Sequence, residues 1–453
     1  MQNINNQPKS EKRAFYKMVF ALLLPIVGQN LIDALVTSTD VIILGFVHQR
    51  ALSAVSLAGN IQFVFSLFLF GLVTGASMLS AQYWGKGDVR AIEKVLGIAL
   101  RFSLSVGAVF FVAALFFPRL LMQIFTPDPA LIEEGIIYLR IVAPTYLISA
   151  FTVMYLGTLR SMENVVLPMV TFAVTFVVNL SLDVVLIFVY HMGTAGVATT
   201  TLVARIIELV ICIAYALKDT RFKPRIRDLF ARNKILLHDF LRYAMPAIGN
   251  DIAFGLGFTM YSVIIGHLSS DAVAAYSIVA VARKLGTVLC FGVSSATAII
   301  VGKALGADRM DDAKLYASRM LKLSVHAALV GGALILCMIP VLMRIGQLTD
   351  LARHYLWIML LINAYYVMGQ SVNTTLICGI FRAGGDSRFG LICDTIDLWV
   401  VMLPISALCA FVFKLPVMWV YFIMCMDEFV KMPFIVRHYH KFGWLKNITN
   451  VAA

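Results

Sequence analysis

Charge is what this sequence has least of. Asp, Glu, Lys and Arg make up 14% of its 453 residues, 60% are apolar, and the mean hydropathy is +0.87. Soluble domains carry about 25% charge, so a water-soluble globule is excluded and a polytopic membrane protein is indicated. Paired cysteines are also missing. Seven are scattered, from Cys212 to Cys425, without a CxxC spacing, which excludes a disulfide framework or a thiolate metal site and leaves them as small core residues. Catalytic signatures are absent too. GKGD (85–88) and VGKALG (301–306) lack the spacing and the trailing Ser or Thr of a phosphate-binding loop, and no HExxH or GxSxG occurs. An enzyme is therefore not expected, and no cofactor is implied. The polar opening, MQNINNQPKSEKR, leads into an apolar stretch with no small-residue cleavage site, so the first span is expected to be retained.

What is present is a series of apolar runs long enough to cross a bilayer. They fall at about 18–46, 52–80, 95–117, 135–157, 165–190 and 193–217, then 242–266, 272–302, 315–345, 353–380, 389–413 and 417–436. The net charge of +12 belongs to the loops between them rather than to one amphipathic face, so membrane topology explains it and nucleic acid is not an expected partner. The basic loops include Lys86, Arg90 and Lys94, the segment 218–234, Lys303, Arg309 and Lys314, and the tail after Arg437. By the positive-inside rule these lie in the cytoplasm with both termini, which requires an even number of crossings; twelve fits.

The halves repeat. GLVTGASMLSAQYWGKGDVRAIEK (71–94) is matched by GVSSATAIIVGKALGADRMDDAK (292–314), and GTLRSMEN (157–164) by GIFRAGGD (379–386), both at an offset of roughly 220 residues. The sequence thus predicts an N-terminal six-helix lobe (1–217), a basic linker (218–241) and a C-terminal six-helix lobe (242–453), related by an axis along the membrane normal, with substrate between the bundles.

Intramembrane polar groups mark candidate sites, because a charge in hydrocarbon is costly. In the first run Gln29, Asp33, Thr37 and Asp40 stack along one helix side below Pro25, whose missing N–H gives the helix a place to bend. Gln29, Asp33 and Thr37 are assigned to a substrate cavity, and Pro25 to a hinge. Asp40, Asp183 and Thr201 each sit roughly 10 Å below the outer surface at 1.5 Å per residue, and Asn179 lies one turn before Asp183. These four supply hard oxygen ligands, suited to a small cation or a shared proton and unsuited to soft metals. Capping of helix ends, or pairing with a basic residue, is the alternative account of each acid. Arg205 and Glu208, three apart, are expected to pair with each other. Asp251 reads as capping or interfacial solvation. Asp394 and Asp397 divide evenly between a second cavity and a structural role, and Arg283 and Lys284 require partners the sequence does not name.

On these residues the whole chain resembles the multidrug and toxic compound extrusion (MATE) family. Pro25 with Asp40 resembles the family's first-helix proline and aspartate. Asn179 and Asp183 resemble its fifth-helix amide and acid, and Thr201 in GTAGVATTT resembles its sixth-helix hydroxyl. The resemblance implies an all-α fold of twelve transmembrane helices in two pseudo-symmetric six-helix bundles. It also implies an antiporter exporting cationic or amphiphilic organic compounds in exchange for Na⁺ or H⁺, with Asp40, Asn179, Asp183 and Thr201 holding the coupling ion. Where the NorM group places C-lobe acids this chain aligns Phe254 and Ser371, so it is closer to the DinF-like branch. The expected partners are a small organic substrate and the bilayer of the cell inner membrane, and the expected state is a monomer. A flippase for lipid-linked precursors or polysaccharide is the runner-up, but it calls for a strongly cationic cavity that Arg205, Arg283 and Lys284 are too few to build. A membrane-embedded enzyme or receptor is the third reading.

Overall fold

The computed structural model describes residues 9–45, 49–222, 233–344 and 348–449; the side chains of 9, 37–45 and 49–52 and the middle of the basic linker lie outside that description. Every element described is helical. The first half of the chain forms α1 (Lys9–Gly45), α2 (Gln49–Lys86), α3 (Val89–Phe116), the short α4 (Pro118–Gln123), α5 (Pro129–Ser161), α6 (Val166–Asp183, running on as a π-helical turn to Val189) and α7 (Gly193–Lys218). The second forms α8 (Lys234–Leu268), α9 (Ser270–Gly306), α10 (Met310–Leu342), α11 (Asp350–Thr374, extended by π-helical turns to Phe381), α12 (Ser387–Val412, with π-helical stretches), α13 (Val417–Met424) and α14 (Asp427–His440). Their starts are capped as the sequence allows. Asp128 accepts from Ala130 N (2.9 Å) ahead of Pro129, and Ser269 and Thr349 each accept from the backbone three residues on (3.0 Å).

Among the described residues, ten helices are long and apolar enough to span a membrane. The remaining two runs of the expected twelve are helical as well, over 350–381 and 417–440, but more polar. They carry the buried Asn363, Gln370 and Asn373 and the buried Asp427, Glu428 and Lys431. Their low hydropathy is thus a property of the interior they build.

The duplication extends to single hydrogen bonds. Before α3, Asp88 N donates to Tyr83 O (3.0 Å) and Gly87 N to Trp84 O (3.1 Å); before α10, Arg309 N donates to Ala304 O (3.0 Å) and Asp308 N to Leu305 O (3.1 Å). The same pair recurs after α5, with Asn164 N on Leu159 O and Glu163 N on Arg160 O, and after α11, with Asp386 N on Phe381 O and Gly385 N on Arg382 O. Each is a helix end closed by a residue in the left-handed region: Gly87 (φ 79°), Asp308 (φ 57°), Glu163 (φ 65°) and Gly385 (φ 77°). Each matched pair puts glycine on one side and an acidic residue, which bears the strain, on the other.

The compact units do not divide at the linker. One comprises residues 31–248, the other residues 1–30 with 249–451. Both boundaries cut a helix just past a proline, α1 after Pro25 and α8 after Pro246. The packing gives the reason. The start of α1 belongs with α9 and α10: Phe15 stacks on Tyr316 (5.0 Å), and a side chain at Gly292 would strike Val27 at 2.5 Å. The start of α8 belongs with α2 and α3: Phe240 stacks on Phe102 (5.9 Å), and Gly75 admits Ala244 where a Cβ would leave only 2.4 Å.

Candidate functional sites

In the unit formed by 31–248, α6 changes from α- to π-helical winding immediately after Asp183, a distortion frequent at functional sites. Asp183 is 1% exposed. Its Oδ1 accepts a 2.5 Å hydrogen bond from the hydroxyl of Thr200 on α7, while its Oδ2 has no partner among the described residues. Asn179, one turn earlier and also buried, has an unpartnered Oδ1. Two hard oxygens a turn apart are therefore left open in a dry interior.

The hydroxyl beside Asp183 is that of Thr200. Thr201, the expected contributor, donates to Val197 O on its own helix (3.0 Å). Of the three consecutive threonines 199–201 only Thr200 meets the acid; Thr199 donates to Ala195 O (2.7 Å) on the same helix, as Thr201 does to Val197 O. Asp40 and Thr37 lie in α1, but their side chains are outside the described residues. Of the expected cavity residues, Gln29 is half-buried and Asp33 exposed, and the unit boundary falls between them. Pro25 lies within α1. Arg205 and Glu208 form the anticipated ion pair at 2.6 Å.

The other unit holds a far denser constellation. Lys431 of α14, 4% exposed, pairs with Asp394 (3.1 Å) and Glu428 (3.2 Å). Asn250 donates to the second oxygen of Asp394 (2.8 Å), and Arg382 donates to both Asn250 Oδ1 (2.7 Å) and Asp251 (2.8 Å). Asn373 donates to Glu428 Oε2 (2.8 Å). Asp251, expected to cap or to be solvated at the interface, is an ion-pair partner of Arg382 (2.8 Å), and Asp394 is paired with Lys431. Arg283 finds rings, lying 5.0 Å from the centroid of Phe258 and 5.8 Å from that of Tyr366. At the positions aligned with C-lobe acids, Phe254 turns its ring to Lys431 (5.6 Å) and Ser371 donates to Ser324 O (2.8 Å). The most deeply buried carboxylates of this unit, Asp394, Asp397, Asp427 and Glu428, come from α12 and α14. Asp427, Glu428 and Lys431 escaped the sequence reading, although three charged residues within five positions of an apolar run were a signal available there.

Apolar helices in two like sets, each enclosing buried carboxylates, define a multi-pass α-helical membrane protein with an internally duplicated bundle. The MatE family model matches residues 25–185 and again 246–408, so the chain belongs to the MatE family and each half carries its pattern. Among curated relatives, the uncharacterized transporter YisQ of Bacillus subtilis is 24% identical over 94% of this chain and 95% of its own length. The probable multidrug resistance protein YoeA of the same organism is 23% identical over 97% and 96%. Among solved structures, a MOP superfamily transporter from Pyrococcus furiosus superposes with a TM-score of 0.87 at 19% identity, covering 95% of this chain and 96% of that one. The Vibrio cholerae MATE transporter VcmN gives 0.87 at 15% identity, over 96% and 100%. At such identities the structures speak for the fold, which is the twelve-helix fold of MATE transporters.

Proposed function

We propose that this protein is a secondary active antiporter, not an enzyme, resident as a monomer in the cell inner membrane with both termini in the cytoplasm. It exports organic cationic or amphiphilic compounds in exchange for H⁺ or Na⁺ by alternating access. Family membership and relatives named for multidrug resistance support the export reading. The observation that carries the coupling is Asp183, a buried carboxylate with one open oxygen and, among the described residues, no basic side chain paired to it.

An ionised carboxylate in that position is costly until a counter-ion arrives. Thr200 spends its hydroxyl hydrogen on Oδ1, which directs an incoming proton to Oδ2. A sodium ion would use Oδ2 with Asn179 Oδ1, both oxygens of the kind it prefers. Asp40 and Thr201 are assigned to the same coupling set on the family resemblance. Binding of the ion removes the negative charge that favours a cationic compound, so each lowers the other's affinity by the same factor. Pro25 lets α1 bend as the cavity lined by Gln29, Asp33 and Thr37 fills and empties.

The test uses everted vesicles and ethidium as the fluorescent cation, with an imposed pH gradient in one arm and an imposed Na⁺ gradient in the other. Asp40→Asn and Asp183→Asn are expected to reduce gradient-driven uptake to that of vesicles lacking the protein. Undiminished uptake in both variants would discard the site.

A further inference from the structure

The carboxylates of α12 and α14 outnumber the cations that face them. Asp394 and Glu428 are satisfied by Lys431, Asn250 and Asn373. Asp397 and Asp427 are not: each is more than nine-tenths buried, and each has an Oδ1 without a hydrogen-bond partner among the described residues. Asp397 lies in the field of Lys431, Glu428 and Asp394, and Asp427 in that of Glu428, Lys431 and Asp397. Tyr261 of α8, 4% exposed with an unpartnered hydroxyl, is within electrostatic reach of both acids and of Cys425. Tyr366 of α11 approaches Asp427 and Glu428, and Cys393 approaches Asp394 and Asp397. Tyr261 and Cys425 also line a cavity of about 10 Å³, just enough for one water.

With all four acids ionised around Lys431 the charge is one minus four, or −3. Arg382 is ion-paired with Asp251 and reaches Asp394 through Asn250, and Arg283 lies among rings, so neither pairs with Asp397 or Asp427. Two uncompensated carboxylates in a dry interior neutralise rather than remain charged, and two close acids share a proton more readily than both ionise. We propose that Asp397 and Asp427 form a second proton site, in the unit of residues 249–451, holding at least one exchangeable proton taken from water and returned to it. An O–H bond forms at the open Oδ1 of one acid, within the electrostatic reach of the unpartnered Tyr261 hydroxyl. This site stands whether or not Asp183 couples transport, because different helices build it.

Infrared difference spectroscopy of the purified full-length protein in lipid, titrated over pH in H₂O and D₂O, reads the carbonyl stretch of protonated carboxyl groups directly. Wild type is expected to keep such a band at neutral pH, where exposed carboxylates are ionised, and the band is expected to shift in D₂O. Either Asp397→Asn or Asp427→Asn is expected to lose that component, since removing one acid lets the other keep its charge beside Lys431. Asp183→Asn is expected to retain it, which separates this site from the one assigned to coupling. Should either variant fail to fold, Asp397→Glu and Asp427→Glu replace the pair, and a shifted band is then expected. A band identical in both aspartate variants overturns the proposal. So does a band abolished at neutral pH by added NaCl with stoichiometric uptake of radioactive sodium, which would make the occupant a sodium ion.

Discussion

The two units share a chain path down to single backbone hydrogen bonds, yet their interiors solve opposite electrostatic problems. In the unit of residues 31–248 the buried acids stand apart from one another in the chain, and one of them, Asp183, holds one hydroxyl and leaves an oxygen open. In the unit of 249–451 Asp251, Asp394, Glu428, Arg382 and Lys431 are tied across four helices. Duplication preserves the helix ends, where geometry permits few alternatives, and leaves the interior free to diverge. A sparse site can change occupant at low cost. A crowded one is held together by its charges, with only Asp397 and Asp427 left over to titrate.

That contrast is broken most severely at Lys431. Replacing it with Ala strands Asp394 and Glu428 without their ammonium, and loss of one partner of a buried pair costs about 3–5 kcal/mol. Lys431→Ala is expected to lower the unfolding midpoint of the purified protein far more than Asp183→Asn does. Equal midpoints in the two variants would show that the network contributes no more to the fold than the lone acid.

Much of this was legible beforehand. Twelve helical runs follow from apolar stretches, the duplication from GKGD and RAGGD, and the Arg205–Glu208 pair from its three-residue spacing. Asn179 and Asp183 were recognisable because a turn of helix puts them on one face. Three features were hidden for physical reasons. Which of Thr200 and Thr201 meets Asp183 depends on a π-helical turn that no periodicity announces. The unit boundaries fall beside Pro25 and Pro246, inside helices, because close packing at Gly292 and Gly75 outweighs chain continuity in deciding what packs with what. The α14 acids lie inside the run 417–436, read there as apolar, and their pairing with Lys431 and with Asn373 depends on packing that spacing alone does not give.

The contrast sharpens again at the helix ends. In one unit Trp84 on α2 donates to Glu163 after α5 (3.1 Å), bridging the two matched turns directly. Their counterparts, Leu305 and Gly385, have no groups to do this, and the tail after α14 does it instead. Asn447 reaches Asp308 (2.7 Å), His438 contacts Asp386 (2.6 Å), and the fully buried Trp444 lays its carbonyl where a Cβ on Gly384 would come within 1.6 Å. Gly384→Ala must displace that backbone, an overpacking expected to cost about 1–3 kcal/mol. Trp84→Phe removes one hydrogen bond and is expected to cost about 1 kcal/mol. Limited proteolysis separates them: cleavage near 441–449 is expected to accelerate in Gly384→Ala and to stay at the wild-type rate in Trp84→Phe.

The smallest effects come from adjacent threonines of near-identical chemistry. Thr200→Val removes the donor to Asp183 Oδ1 and leaves both carboxylate oxygens open, a loss of about 1–3 kcal/mol for a buried acceptor. Thr201→Val removes only a bond to its own helix, and is expected to stay within about 0.5 kcal/mol of wild type. Ethidium uptake into everted vesicles should follow the same order, impaired in Thr200→Val and preserved in Thr201→Val. The reverse order would mean that α7 turns its other threonine to the acid during transport, and that the bond between Thr200 and Asp183 belongs to a single step of the cycle.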